Sequence, residues 1–304
     1  MARMICPGLP AGWINAWLAA VGATVLDSRI RLHWTGDGTP VAVLSAEDVD
    51  PLDAVVASWP DAELLTDLPI AESWKDACRL GRRVPVADFV ARARTARSNP
   101  YSWTLSSTMT DLYVDERGEV AHAPFDPPGP GTIKWLHHRL MKVHEQVEPS
   151  IERIRDSFEG RAVRVKDNGL GFDHTRLGSQ SDKTSMWVDP VIEVLAFFGL
   201  AILPVRGDGI DRRRSGVPGA RERQRGWLRT PGGKGERRFM WPAWCQSLDF
   251  AGIDALMDVW EPDVREPRRK EAWSRTGVHA AWKSVQFERR GSADTTRAFG
   301  AEQL

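Results

Sequence analysis

Two stretches far apart in the chain carry the same apolar signature. Trp17-Leu18-Ala19-Ala20-Val21-Gly22, followed by Val25-Leu26, matches Val194-Leu195-Ala196-Phe197-Phe198-Gly199, followed by Ile202-Leu203. The leucine, the alanine, the glycine and the final leucine coincide at a single offset. Each stretch reads as a helix packed on its apolar face, ended by glycine and leading into a strand. Two readings follow. Any buried helix-to-strand corner has this pattern, and so does an internal duplication, although two copies are too few for a solenoid.

The remaining periodicities fill in a mixed architecture. Residues 11–26 place Trp13, Ile14, Trp17, Leu18 and Val21 at helical spacing, with Gly22 as the C-terminal stop. Residues 30–34 alternate like a strand, and Gly36-Asp37-Gly38 turns the chain into a second strand at 41–44. Short helices are expected at 53–58 and 86–96, and strands at 101–105 and across 112–122, the latter folded around Glu116-Arg117-Gly118. Asp-Pro-Pro-Gly-Pro-Gly at 126–131 is the clearest breaker in the chain. An amphipathic helix at 132–147 follows, with Ile133, Leu136, Leu140 and Val147 on one face, then a helix at 151–158 and a strand at 162–165. A buried helix at 191–198 leads to a buried strand at 200–205. At 304 residues the chain exceeds the usual single-domain size. The expectation is an α+β fold of two mixed subdomains, each with a helix-glycine-strand corner, joined near the Pro/Gly-rich linker. They span residues 1–125, acidic at the start, and 126–304.

Composition excludes more than it identifies. Cys6, Cys78 and Cys245 lie far apart with no CxxC pair, which argues against a disulfide framework or a structural zinc and for a reducing, cytoplasmic setting. The opening residues hold prolines and glycines where a secretory signal needs an uninterrupted apolar run. The strongest apolar run, residues 194–203, is about half of what spans a bilayer, so no membrane partner is expected.

Catalytic signatures are missing. There is no GxSxG elbow, no GxxxxGK[ST] loop, no HExxH, and no GxGxxG after a strand. Gly232-Gly233-Lys234 lacks the Ser or Thr that would hold magnesium, and no Asp or Glu lies two residues before any lysine. His137, His138 and His144 share one helix, but His137 and His144 are seven residues apart where metal ligands would sit one turn apart. They are read as satisfied or exposed histidines, and neither a metal nor a cofactor is expected. Asp173-His174 within Gly-Leu-Gly-Phe-Asp-His-Thr-Arg-Leu-Gly (169–178) has the chemistry of a base and its orienter. A glycine-rich turn with a polar tip accounts for it more simply.

Charge distribution carries the best physical signal. Formal net charge is zero, yet residues 1–89 hold 7 Lys and Arg against 12 Asp and Glu. Residues 206–238 reverse this with 11 Lys and Arg against 4 Asp and Glu. Arg212, Arg213, Arg214, Arg221, Arg223, Arg225, Arg229, Lys234, Arg237 and Arg238 are interleaved with glycines and prolines and with Trp227. Guanidinium forks suit phosphates and exposed aromatic faces suit unpaired bases, so this segment is the candidate nucleic-acid contact. A solvated loop and a contact for an acidic protein are the other readings.

Three segments also resemble a known family. Gly-Phe-Asp-His-Thr-Arg-Leu-Gly (171–178), Trp-Val-Asp-Pro-Val-Ile-Glu-Val-Leu-Ala-Phe-Phe-Gly-Leu-Ala-Ile-Leu-Pro-Val (187–205) and Arg-Arg-Phe-Met-Trp-Pro-Ala-Trp (237–244) resemble CRISPR-associated subunits of type I-U (I-G) systems. The opening helix around residues 8–26 is similar to theirs, whereas residues 40–165 match nothing known in that family. The resemblance implies a non-catalytic subunit of a Cascade-like RNA-guided antiviral complex. Such a subunit holds guide RNA or target DNA beside other effector subunits while base pairing reads the sequence. Two alternatives stand beside it. One is a nucleic-acid hydrolase with a dispersed site at Asp173, His174, Asp182 and Asp189; the other is a protein-only adaptor docking through the acidic N-terminal part.

Overall fold

The structure is a computed structural model that describes residues 1–66, 83–85, 109–114, 118–122, 133–167, 169–171, 186–202, 227–229, 237–262, 264–285 and 300–304. Chain order begins with β1 (Ala2–Pro10), α1 (Ile14–Leu26), β2 (Arg31–Trp34), β3 (Val41–Ala46), α2 (Pro51–Ala57) and α3 (Ala62–Thr66). It continues through β4 (Arg83–Pro85), β5 (Met109–Val114), β6 (Glu119–His122), α4 (Ile133–His144), α5 (Ile151–Phe158), β7 (Val165–Asp167) and β8 (Met186–Val188). The last part holds α6 (Pro190–Gly199), β9 (Trp227–Arg229), β10 (Arg237–Trp244), α7 (Phe250–Val259), α8 (Arg268–Arg275), β11 (Val278–Val285) and β12 (Gly300–Gln303). The fold is α+β, with antiparallel sheets ordered β1-β3-β2, β12-β11-β10-β9, β4-β6-β5 and β7-β8.

The two echoing segments meet at the centre. In α1 every residue from Ile14 to Thr24 is buried, and in α6 every residue from Pro190 to Gly199. Such helices, apolar nearly all round, persist only where neighbours cover every side. They approach at their glycines. A Cβ added to Gly22 would lie 1.9 Å from the Leu195 carbonyl oxygen, and one added to Gly199 would lie 2.0 Å from that of Leu18. The contacts are reciprocal: each glycine meets the leucine four residues before the other.

This corrects the expectation that Gly22 stops its helix. Gly22 lies inside α1, which runs on to Leu26. Gly199 does end α6, but Leu200–Ile202 form a 3-10 turn rather than the start of a strand. The shared pattern marks a backbone-to-backbone approach, and residues 203–205 of the strand expected after Gly199 lie outside the described residues.

Tryptophan indoles tie the sheets to this helix pair. Trp17 Nε1 donates to the Pro242 carbonyl at 2.8 Å, Trp241 Nε1 to that of Ala11 at 2.7 Å, and Trp244 Nε1 to that of Leu32 at 3.1 Å. Each ring covers a large apolar area while its one donor finds a backbone acceptor, so no polar atom of these rings is buried at a loss. Trp17 and Trp34 both stand edge-on to Trp244, at 6.3 and 6.0 Å between ring centroids. Leu32 and Leu248 also exchange both backbone hydrogen bonds, at 2.7 and 3.0 Å. One buried cluster consequently runs from Cys6 to Trp282 across both ends of the chain.

Other sequence expectations meet the structure unevenly. The β2–β3 hairpin, α2 and α5 fall where the patterns placed them, and β5 and β6 flank the predicted turn. The strand expected at 162–165 begins only at Val165. Ala2–Pro10 form a strand that composition concealed, with Pro7 and Pro10 tolerated because β1 is an edge strand. The helix expected at 86–96, the strand at 101–105 and the breaker at 126–131 lie outside the described residues. No helix among the described residues is long and apolar enough to cross a membrane.

Candidate nucleic-acid interface

The N-terminus of α6 is where sequence, burial and an opening in the surface coincide. Asp189 caps the helix: its side chain accepts from the Val191 amide at 3.1 Å, and Pro190 takes the first helical position, where no N–H is needed. The same oxygen, Oδ1, lies 3.1 Å from Ser157 Oγ on α5 and 3.5 Å from Arg153 Nη2. Ser157 Oγ is also 3.2 Å from the Arg153 carbonyl, so its single proton serves one acceptor at a time. Within the described residues Oδ2 accepts no hydrogen bond. Burial pushes the Asp189 carboxyl up from its ordinary range, opposed by the Ser157 hydroxyl, the charge of Arg153, the Val191 amide and the charge of Arg164.

Asp189 forms part of the wall of a cavity of about 270 Å³ between β1, the start of α1, α5 and α6. Pro7, Ala16 and Ile192 give it apolar sides, whereas Asn15, Ser157, Glu159 and Arg164 give it polar ones. Trp13, over a third exposed, stands at its edge. Behind it, fully buried Glu193 accepts from Asn15 Nδ2 at 3.4 Å and from the Leu170 amide at 2.6 Å, joining α1, α6 and the turn at 169–171.

The mouth continues onto an aromatic and basic surface. Arg164 Nη1 donates to the Trp187 carbonyl at 3.2 Å, and Lys166 is the register partner of Trp187 in the β7–β8 ladder. Directly opposed residues in such a ladder project from the same face. Trp187 is 60% exposed, Val163 80%, and Lys166 is exposed as well. An exposed tryptophan near cations suits an unpaired base and its phosphate. Sequence reading overlooked this group. Its signal was the Arg164/Lys166 alternation together with Trp187, but the two strands are distant in sequence and only pairing joins them.

The residues singled out from sequence are distributed differently. Arg212, Arg213, Arg214, Arg221, Arg223, Arg225 and Lys234 lie outside the described residues. Trp227 and Arg229 belong to β9, and Arg237 and Arg238 to β10. The ladder pairs Arg237 with Arg229 and Arg238 with Leu228, so two of the arginines are cross-strand neighbours at the sheet edge. Of the dispersed carboxylate and histidine set, Asp173, His174 and Asp182 are outside the described residues, and Asp189 is the helix cap. His144 is satisfied: its Nε2 lies 2.7 Å from the Pro60 carbonyl and its ring stacks on Trp59. Among the described residues no group of three His, Cys, Asp or Glu side chains could hold a metal ion.

No family model, curated protein or solved structure matches the chain.

Proposed function

We propose that the chain is a non-catalytic, nucleic-acid-binding subunit of a cytoplasmic CRISPR RNA-guided antiviral surveillance complex, holding guide RNA or target DNA beside other effector subunits. The observation that carries the nucleic-acid part is exposed Trp187, opposite Lys166 in its ladder and held at its carbonyl by Arg164, which also lines the cavity. Arg229, Arg237 and Arg238 lie on the β9–β10 ladder within the basic 206–238 segment. The assignment to an RNA-guided complex is supported by the resemblance of residues 8–26 and 168–258 to type I-U subunits.

Binding of the full chain to single-stranded RNA, single-stranded DNA and duplex DNA, alone and with co-purifying partners, tests the reading across a salt series. Phosphate contacts release counterions, so affinity should fall steeply as salt rises. Joint replacement of Arg212, Arg213 and Arg214 by alanine should make the slope shallower by about one unit per lost contact. Binding that ignores salt and the triple replacement would leave an adaptor. Cleavage of labelled strands with magnesium or manganese would instead favour the hydrolase.

A further inference from the structure

The outer face of the β1-β3-β2 sheet carries two arginines that meet no carboxylate among the described residues. Arg3 and Arg31 are both register partners of Ser45, one on each side of it. Directly opposed residues project from the same face, so Arg3, Ser45 and Arg31 form one row across three strands. Ile5, Val43 and His33 form the next row on that face. The opposite face sends Cys6, Leu44 and Leu32 into the core. Elsewhere Arg29, Arg153, Arg161 and Arg275 each lie against a carboxylate. Arg3 is exposed and Arg31 half-buried, yet neither makes an ion pair or a side-chain hydrogen bond among the described residues.

The neighbouring row feels this charge. Burial first, and then the charge of Arg3, hold the His33 imidazole below its ordinary value, and no described carboxylate opposes that charge at the ring. Between the arginines, Ser45 Oγ lies 3.1 Å from Ser247 Oγ. Two hydroxyls carry two protons, and their mutual bond uses one. Ser45 is only 2% exposed and Ser247 half-buried, so Ser247 is the better placed to donate the other.

Geometry selects the ligand. Adjacent strands lie about 4.8 Å apart, so the two arginine backbones are separated by roughly 10 Å. Their long side chains can close on one group held over Ser45. A carboxylate offers a single two-oxygen edge and suits one guanidinium fork, whereas a phosphate presents oxygens on opposite sides and suits two. We infer that this face binds one phosphate group, held between Arg3 and Arg31 with the Ser247 hydroxyl as a further donor. The site stands on its own geometry, and only the source of the phosphate rests on the nucleic-acid reading above. On that reading the phosphate belongs to a strand. β1 runs from Arg3 to Pro7, about 13 Å at the ordinary rise, and Pro7 lines the cavity that Arg164 also lines.

The test uses the full chain, with labelled single-stranded RNA across a salt series and inorganic phosphate followed by phosphorus NMR line broadening. Arg3→Gln and Arg31→Gln should each weaken RNA binding about tenfold, the scale of one hydrogen bond to a charged group. One phosphate of a single strand accounts for about 0.7 of the salt slope, so each single variant and the double variant should lose that same ~0.7. A loss of about 1.4 in the double variant, twice that of either single one, would place the arginines on separate phosphates and overturn the shared site. Arg3→Lys with Arg31→Lys keeps both charges, so the slope should hold while affinity falls, because an ammonium does not reproduce the fork. The single variants keep the test intact if the double one fails to fold. Salt-dependent RNA binding that ignores all of these variants would overturn the site and leave the nucleic-acid reading standing. If RNA does not bind, phosphate broadening that disappears in the double variant upholds the site with free phosphate as its source, and no broadening sinks both.

Discussion

α1 and α6 share a sequence pattern and a burial class, yet they are built differently. α6 begins with the Asp189 cap and Pro190, with Glu193 in its first turn. α1 follows Trp13, which makes no side-chain cap, and has no acidic residue in its first turn. Where α6 carries Phe197 and Phe198, α1 carries the smaller Ala20 and Val21. Within the shared pattern, the leucine-glycine spacing is the part that touches. The comparison teaches that a recurring glycine can mark where two backbones meet rather than where a helix stops.

The largest expected effect breaks that meeting point. Gly22→Ala and Gly199→Ala each drive a methyl into a backbone oxygen at 2 Å or less, with no flexible side chain to yield. Each should destabilise by more than about 3 kcal/mol in urea unfolding, above the usual range for overpacking. Gly36→Ala, in the open β2–β3 turn with nothing within 4 Å, is the control and should change little. Near-neutral behaviour at Gly22 or Gly199 would mean that the helices lie further apart.

The indole bonds come next. Trp17→Phe keeps an aromatic ring on α1 but strips the donor from the Pro242 carbonyl, and Trp241→Phe does the same to Ala11. Each should cost about 1–3 kcal/mol, the penalty for a buried acceptor left unmade. Equal stability of Trp17→Phe and the wild type would show that water reaches Pro242.

The capping contrast between α1 and α6 is smaller. Asp189→Ala should lose about 1 kcal/mol of capping, whereas Asp189→Asn retains the cap. Burial raises the folded Asp189 above its ordinary value of 3.8, so the folded state holds its proton more tightly than the unfolded chain. Wild-type stability relative to Asp189→Asn should therefore fall as pH climbs from 3.8 toward the raised value, and level off above it. Denaturation midpoints of both proteins across acidic pH measure this; a difference that grows on acidification would reverse the sign.

Trp187→Ala should barely move the midpoint, within about 0.5 kcal/mol, because the ring is mostly exposed. Affinity for single-stranded RNA should nevertheless drop by roughly 1–3 kcal/mol. A fall in stability with unchanged binding would make Trp187 a packing residue.

Much of the local structure was legible because it rests on nearest-neighbour physics. The Gly36-Asp37-Gly38 turn, the α5 periodicity and the apolar stretch of α6 each declare themselves within a dozen residues. β1 was hidden because Pro7, Gly8 and Pro10 read as breakers, and only pairing with β3 makes an edge strand of them. The candidate site was hidden for the same reason. Asp189 looks like any N-cap until Ser157 and Arg153 arrive from α5, and Trp187 looks like core until its exposure is known.

By itself, then, the sequence determined the α+β class, the two buried helices, and a pair of leucine-glycine spacings at one offset, since backbone propensity and apolar period act over a few residues. Tertiary structure alone decided that Gly22 lies inside a helix, that Trp17, Trp241 and Trp244 bond across the molecule, and that the Asp189 helix cap lines a cavity. Each of these depends on surfaces brought together from distant parts of the chain, and no local pattern records which surfaces will meet.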